Sequence, residues 1–188
     1  TMNPSTKDLL DAVGCVNADA VIILPNNSNI IMAAQSAAGL AEVPCAVVPT
    51  KSVPQAFSAL FGVDEDATLD ENVEAMTEAF AETKTGEVTT AIKDSKDAHD
   101  NPIHDGDIIG IADGSIEAVG SSVEGVVLSL LDTMEAEDAD TLTLLAGENF
   151  SDERMSALVE RIEERFDDLE IDAQRGEQPL YPIVFSVE

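Results

Sequence analysis

The chain has 188 residues, 44% of them hydrophobic, and carries 38 acidic against 9 basic side chains, a formal net charge of −29. This length accommodates one domain or two small lobes, and the sequence has no apolar run long enough to cross a membrane. The acidity and the lack of a basic cluster exclude nucleic acid as an expected partner and argue against insertion into anionic membranes.

The first half of the chain repeats the order strand, polar turn, helix. Apolar runs that end in proline are typical of buried parallel strands, and residues with capping side chains precede the helical patterns. The expected elements are a helix after a capping box at Ser5, a strand over 20–24, a helix from Asn29 to a cap at Gly39, a strand over 43–48, a helix opened by Val53 and Pro54, and a helix after a capping box at Thr68. This order predicts a parallel sheet with crossover helices.

After Gly86 the pattern changes to strands that alternate polar and apolar residues. A polar loop runs to Asp107, and Asp113-Gly114 predicts a tight hairpin turn. Helices are expected after Ser122 and Ser151, with strands over 142–146 and 183–187. We therefore predict an α/β fold with a parallel-rich sheet and flanking helices, divided into lobes 1–86 and 87–188, the second of which contains an antiparallel hairpin.

Polar side chains follow the two strands of the first lobe at their carboxyl ends. In an open parallel sheet ligands bind at this edge, and the free N–H groups of a following helix favour an anion or a carbonyl oxygen. The alternative is that one residue caps the helix while the others form an Asx turn. The candidate ligand-binding residues are Asn26, Asn27, Ser28, Asn29, Thr50, Lys51, Ser52 and Gln55.

Metal-binding and catalytic residues are not predicted. His99 and His104 lie in an aspartate-rich loop, but their spacing fits no zinc pattern and the ligand order fits no calcium loop, so a solvated hairpin loop is expected. The sequence contains no phosphate loop or dinucleotide fingerprint. Cys15 and Cys45 are too few for a disulfide framework and are expected to be buried free thiols of a cytoplasmic protein.

Five blocks of the sequence resemble a known family, in the family's order and over nearly the whole chain. They are MNPST, VIILPNNSNIIMAAQ, VVPTKSVPQ, ENVEAMTEAFAETKTGEVTTAIKDS and GEQPLYPIVFSVE. Together they resemble the carboxyl-terminal region of bacterial dihydroxyacetone-kinase-like proteins, the larger subunit of fatty acid kinase. The resemblance implies a DegV-like fold in a piece of a longer protein, whose ATP- and magnesium-binding kinase domain lies outside this chain.

The resemblance also implies a function without catalysis or cofactor for this region: docking of a separate DegV-like fatty-acid-binding protein, with a homo-oligomer formed through the parent protein as a further option. The loop from Thr50 to Gln55 is similar to the hydroxyl-rich turn that holds a carboxylate in DegV-like proteins, although Lys51 and Val53 depart from it. The alternative is an independent domain that binds or transforms a carboxylate or a phosphorylated three-carbon compound. Tyr181, with Gln178 nearby, is the candidate partner-binding residue; the other interpretation of Tyr181 is a core side chain bonded to the backbone.

Overall fold

The computed structural model describes residues 3–97 and 100–188. It divides into two compact units, Thr1–Thr83 (unit 1) and Lys84–Glu188 (unit 2). Residue 86, where the sequence predicts the lobe boundary, lies inside a strand that begins at Lys84. The α/β class is confirmed. In the described parts of the chain, no helix combines the length and the apolar character that crossing a bilayer requires.

Unit 1 places four helices around a short parallel sheet. Its strands pair in register from Val21 opposite Cys45 to Ile23 opposite Val47. Val48, Ala59 and Met76 form its buried cluster. Its elements are α1 Thr6–Gly14, β1 Val21–Ile23, α2 Ile31–Leu40, β2 Cys45–Val47, α3 Val53–Leu60 and α4 Leu69–Ala79.

Local capping sets most helix starts in unit 1. The capping boxes predicted at Ser5 and Thr68 are both formed, because each side chain accepts a backbone N–H while an acidic residue three positions later bonds back. The expected cap at Gly39 is wrong, since Gly39 lies inside α2 and Ala41 ends that helix. Cys15 is exposed and Cys45 is partly exposed, so the expectation of two buried thiols is also wrong.

Unit 2 contains a six-stranded sheet with the spatial order β7-β6-β3-β10-β8-β9. All neighbouring strands pair antiparallel except β8 and β9. The parallel-rich pattern is therefore a property of unit 1, and antiparallel pairing dominates unit 2. The elements are β3 Lys84–Thr90, β4 Ser95–Lys96, β5 Pro102–Ile103, β6 Ile108–Ala112, β7 Ser115–Gly120, α5 Val123–Thr133, a 3₁₀ turn Ala136–Asp138, β8 Thr141–Ala146, α6 Asp152–Glu163, β9 Glu170–Arg175 and β10 Ile183–Val187.

The main core of unit 2 joins one face of this sheet to α5 and α6. The central strand β10 contributes Phe185, which is fully buried. Phe185 lies opposite Gly86 of β3, and a Cβ atom added to Gly86 would meet Phe185 Cζ at 2.1 Å. Glycine at this position therefore provides the space that the phenylalanine ring occupies.

The hairpin predicted around Asp113 and Gly114 is formed by β6 and β7. Both turn residues have positive φ, 47° and 92°, as a type I′ turn requires. The preceding polar loop contains a further small hairpin, in which Ser95 pairs with Ile103. His99, one of the two histidines in this loop, lies outside the described residues.

Candidate functional site

The two polar turns of unit 1 meet at the carboxyl ends of β1 and β2. The Asn26 backbone N–H donates to Thr50 Oγ1 at 3.1 Å, and the Thr50 hydroxyl donates to Asn26 Oδ1 at 2.7 Å. Thr50 is fully buried. The adjacency expected from the parallel strands is therefore present, and it rests on a reciprocal pair of hydrogen bonds.

The first turn does not cap the helix that follows it. Ile30 is the residue before α2, and no side chain accepts a hydrogen bond there, so the expected cap by Asn or Ser is wrong. Instead, Asn27 Oδ1 accepts from the Asn29 backbone N–H at 2.9 Å, which is the Asx turn of the alternative interpretation. Asn26 has φ of 57°, a left-handed conformation that asparagine tolerates better than most residues.

The second turn is fixed by its own side chains. Ser52 is buried, and its hydroxyl accepts from the Gln55 backbone N–H at 3.3 Å, which caps α3. Gln55 Oε1 in turn accepts from the Lys51 backbone N–H at 2.8 Å. Lys51 and Ser28 are exposed. The structure thus gives Asn26, Thr50, Ser52 and Gln55 structural partners, while a ligand-binding role for the crevice stays a prediction.

In unit 2 the loop between β9 and β10 is tied closely to the sheet. Gln178 Nε2 donates to the carbonyl oxygens of Leu145 at 2.8 Å and Tyr181 at 3.1 Å. A Cβ atom on Gly147 would lie 2.4 Å from the Tyr181 carbonyl oxygen, so the loop also passes directly over the backbone there. Gln178 therefore fixes the shape of the loop whether or not it also touches a partner.

The tip of this loop presents Leu180 to solvent. The Tyr181 N–H donates to the Pro179 carbonyl at 2.9 Å across Leu180, whose φ is 69°. Such a three-residue turn with positive φ is rare and strained. The Thr89 hydroxyl, which donates to the Leu180 carbonyl at 2.8 Å, holds it in place. Leu180 is 66% exposed, whereas Tyr181 is half-buried.

Tyr181 lies close to an acidic side chain of β3. Burial raises the pKa of the Tyr181 hydroxyl, and the negative charge of Glu87 adds to the increase. Burial also raises the pKa of the Glu87 carboxyl. Among the described residues, no hydrogen bond to the Tyr181 hydroxyl is present. The geometry gives Tyr181 an environment between core and surface, and its partner-binding role stays a prediction.

The histidine-containing loop shows no metal centre in its described part. His104 is exposed, and its Nδ1 lies 3.6 Å from Asp107 Oδ2. No group of three or more metal-ligating side chains occurs within residues 3–97 and 100–188. His99 falls outside those residues, so the prediction that it binds no metal stays a prediction.

The apolar surface on α3 was not predicted from the sequence motifs. Phe57, Leu60 and Phe61 are large apolar side chains with 45%, 53% and 89% of their surface exposed. One feature of the sequence would have found them: between Asp19 and Asp64 the only charged residues are Glu42 and Lys51. A charge-depleted segment in so acidic a chain indicates a surface with a different use.

Comparison with solved structures defines the class of the fold. A DegV family protein from Eubacterium eligens, loaded with heptadecanoic acid, superimposes with a TM-score of 0.62 at 13% identity, covering 99% of this chain and 78% of that one. The Streptococcus pneumoniae Fatty Acid Kinase (Fak) B3 protein, loaded with linoleic acid, gives 0.61 at 16%, covering 98% and 76%. Dihydroxyacetone kinase from C. freundii gives 0.57 at 15%, covering 98% of this chain and 41% of the kinase. The fold is therefore DegV-like.

Comparison at the level of sequence identifies the family. Residues 1–188 match the FakA-like C-terminal family of fatty acid kinase. Protein YloV of Bacillus subtilis is 41% identical over 189 residues, covering 100% of this chain and 34% of its own length. An uncharacterized Staphylococcus aureus (strain USA300) protein is 38% identical over 188 residues, with the same coverage. The chain belongs to the FakA-like C-terminal family, and it spans about a third of the curated relatives it matches.

Proposed function

We propose that this chain is a non-catalytic docking domain of a fatty acid kinase, which recruits a DegV-like fatty-acid-binding protein to a kinase domain outside residues 1–188. The observation that carries the proposal is the family match over the whole chain. Fatty Acid Kinase (Fak) B3, a fold relative, was solved with linoleic acid, so proteins of that kind supply the fatty-acid-bound partner. In this proposal the present chain contributes a surface, and the bound acyl chain belongs to the partner.

The charge of the chain gives the docking step a specific kinetic signature. A net charge of −29 attracts a partner whose docking face is basic, because charge complementarity accelerates encounter more than it strengthens the final complex. The Debye length is about 8 Å at physiological ionic strength, so added salt screens this attraction. We expect the association rate to fall with salt while the dissociation rate changes little.

Surface-immobilised chain, probed with the purified DegV-like protein of the same organism loaded with oleic acid, tests the proposal by biolayer interferometry. Saturable binding with a salt-dependent association rate is the expected result. The matched control is bovine serum albumin loaded with the same fatty acid, which shares the ligand but not the fold. If the DegV-like protein binds no better than the albumin, the docking function is refuted.

Catalysis is assigned to the part of the parent protein outside this chain. Phosphoryl transfer depends on a site that cradles the phosphates and on metal ions that neutralise them. The sequence has no glycine-rich phosphate loop, and its charge repels a polyanion. We therefore expect no binding of ATP with magnesium by the chain alone. Isothermal titration calorimetry measures this, and micromolar affinity would contradict the assignment.

The alternative function, binding of a carboxylate or phosphorylated three-carbon ligand, uses the crevice around Asn26 and Thr50. The reciprocal hydrogen bonds between these two residues occupy the buried hydroxyl that would otherwise face a ligand. Lys51 is the exposed cation beside them. Titration with dihydroxyacetone phosphate, with Lys51→Gln as the comparison, distinguishes this function from docking: saturable heat that the variant abolishes would favour the alternative.

A further inference from the structure

Helix α3 has an inverted distribution of side chains. A surface helix normally buries its large apolar residues and exposes polar ones. Here the residues facing the core of unit 1 are small, with Ala56 at 5% and Ala59 at 0% exposure. The opposite side carries Val53, Phe57 and Leu60, whose spacing of four and three positions places them on one face. Phe61 follows directly and continues that face.

The exposed large side chains are a feature that packing within unit 1 does not require. Full burial of a leucine or phenylalanine side chain is worth about 1.5–3 kcal/mol relative to exposure, and α3 forgoes this at several neighbouring positions. The helix itself contains no charged residue that would keep such a face solvated. Exposed apolar residues on one helix face are a recognised way of binding another protein's groove, through anchors at spacings of three, four and seven.

The composition around α3 indicates an interface. In the segment from residue 20 to residue 63 the single acidic residue Glu42 balances the single basic residue Lys51, while the chain as a whole has a net charge of −29. Protein–protein interfaces are depleted of charge at their centre and enriched in aromatic residues and methionine. This segment contains the exposed aromatic side chains of Phe57 and Phe61 and the exposed Met32.

We infer that the outward face of α3, formed by Val53, Phe57, Leu60 and Phe61, is the surface that docks the fatty-acid-binding protein; this inference rests on the proposed function and locates its contact. The partner's complementary surface is an apolar groove bordered by lysine and arginine. Phe57 and Phe61 are the anchors that enter the groove, and the acidic residues Asp64, Glu65 and Asp66, which are exposed directly after this face, meet the basic border.

Charge distinguishes this occupant from the two others that an apolar helix face could bind. A second copy of the chain would bring the same acidic residues 64–66, and the same net charge, against themselves, and like charges across an interface are unfavourable. An anionic bilayer would be repelled in the same way. A basic-bordered protein surface complements both parts of this face, the apolar centre and the acidic border.

Two substitutions and one matched control test the inference. Phe57→Ser and Phe61→Ser remove the anchors from positions that are already exposed, and circular dichroism verifies that each variant is folded. Ile92→Ser is the control, because Ile92 of unit 2 has 88% exposure against 89% for Phe61 and lies outside this face. Affinity for the oleate-loaded DegV-like protein is measured for the unsubstituted chain and for all three variants.

We expect each anchor variant to bind about tenfold or more weakly, mainly through faster dissociation, as hot-spot residues do, and Ile92→Ser to bind within about twofold. If the unsubstituted chain binds but the folded anchor variants bind equally well, the location is refuted and the docking function stands. If the unsubstituted chain does not bind, the docking function itself fails. Self-association in sedimentation velocity, or binding to phosphatidylcholine vesicles, that either anchor substitution abolishes would assign the face to a second copy or to a bilayer and overturn the inference.

Discussion

Substituting Gly86 by alanine should destabilise unit 2 because the added methyl group has no space. The new Cβ atom would lie 2.1 Å from Phe185 Cζ and 2.4 Å from Phe185 Cε1, whereas carbon atoms in contact are about 3.5–4.0 Å apart. The ring must therefore move by more than an ångström. Phe185 is fully buried among the side chains of the main core, so any movement displaces its neighbours as well.

The size of the effect follows from two opposing terms. Overpacking a well-packed core costs about 1–3 kcal/mol, and the complete enclosure of Phe185 places this case near the upper value. Alanine in a strand interior gains about 0.5–1 kcal/mol over glycine. The net loss in the free energy of unfolding of unit 2 should be about 2 kcal/mol. In a Phe185→Leu background the ring is absent, so the same Gly86→Ala change should cost less.

Urea unfolding followed by tyrosine fluorescence measures this loss. Tyr181 is the sole tyrosine, and the chain has no tryptophan, so the fluorescence reports unit 2. Gly39→Ala in α2 is the control, because no atom lies within 4 Å of the added Cβ and alanine gains about 1 kcal/mol in a helix; circular dichroism follows it. A loss below about 0.5 kcal/mol for Gly86→Ala, or an equal loss in both backgrounds of the double-mutant cycle, would refute the packing argument.

Two further predictions concern polar groups. Because burial raises the pKa of Glu87, the folded state favours its protonated form, and the penalty for its charge is absent below the ordinary carboxyl pKa and grows as the pH rises through the raised value. Glu87→Gln should therefore raise the thermal midpoint at pH 7 more than the exposed control Glu170→Gln, and the difference should vanish near pH 4; an equal effect of the two at pH 7 would contradict it. Thr50→Val removes the acceptor of the Asn26 N–H and should destabilise unit 1 by about 1–3 kcal/mol in thermal circular dichroism, whereas Thr90→Val at an exposed position should have little effect.

Helix starts were the most predictable part of the fold because a cap is encoded within four residues. Ser5 and Thr68 form their capping boxes as expected, and Ser122 and Ser151 cap α5 and α6. Strand pairing was harder, because it joins residues far apart in sequence. Nothing local to β3 specifies that it pairs antiparallel with β10, and for this reason the antiparallel character of unit 2 was not predicted beyond its hairpin.

The candidate site was predictable in position and not in detail. Parallel pairing of β1 with β2 was enough to place the two polar turns together. Which polar atoms remain available depends on how they satisfy each other, and the bonds between Asn26 and Thr50 cannot be inferred from composition. Likewise, the sequence indicated a surface loop around Tyr181, but the turn that exposes Leu180 and partly buries Tyr181 depends on a positive φ at Leu180, which favours no particular sequence pattern.

The place of β10 in the sheet has a consequence for how a ribosome-bound chain acquires its shape. This strand is translated after all the others of unit 2, yet it lies between β3 and β8. Until it emerges, the β7-β6-β3 and β8-β9 halves cannot join, and each presents an unpaired edge that could recruit another nascent chain. The abundant acidic side chains offer protection during this interval, because strongly like-charged chains repel one another before their edges meet. The acidity of the protein would then matter first during its synthesis, before any partner is encountered.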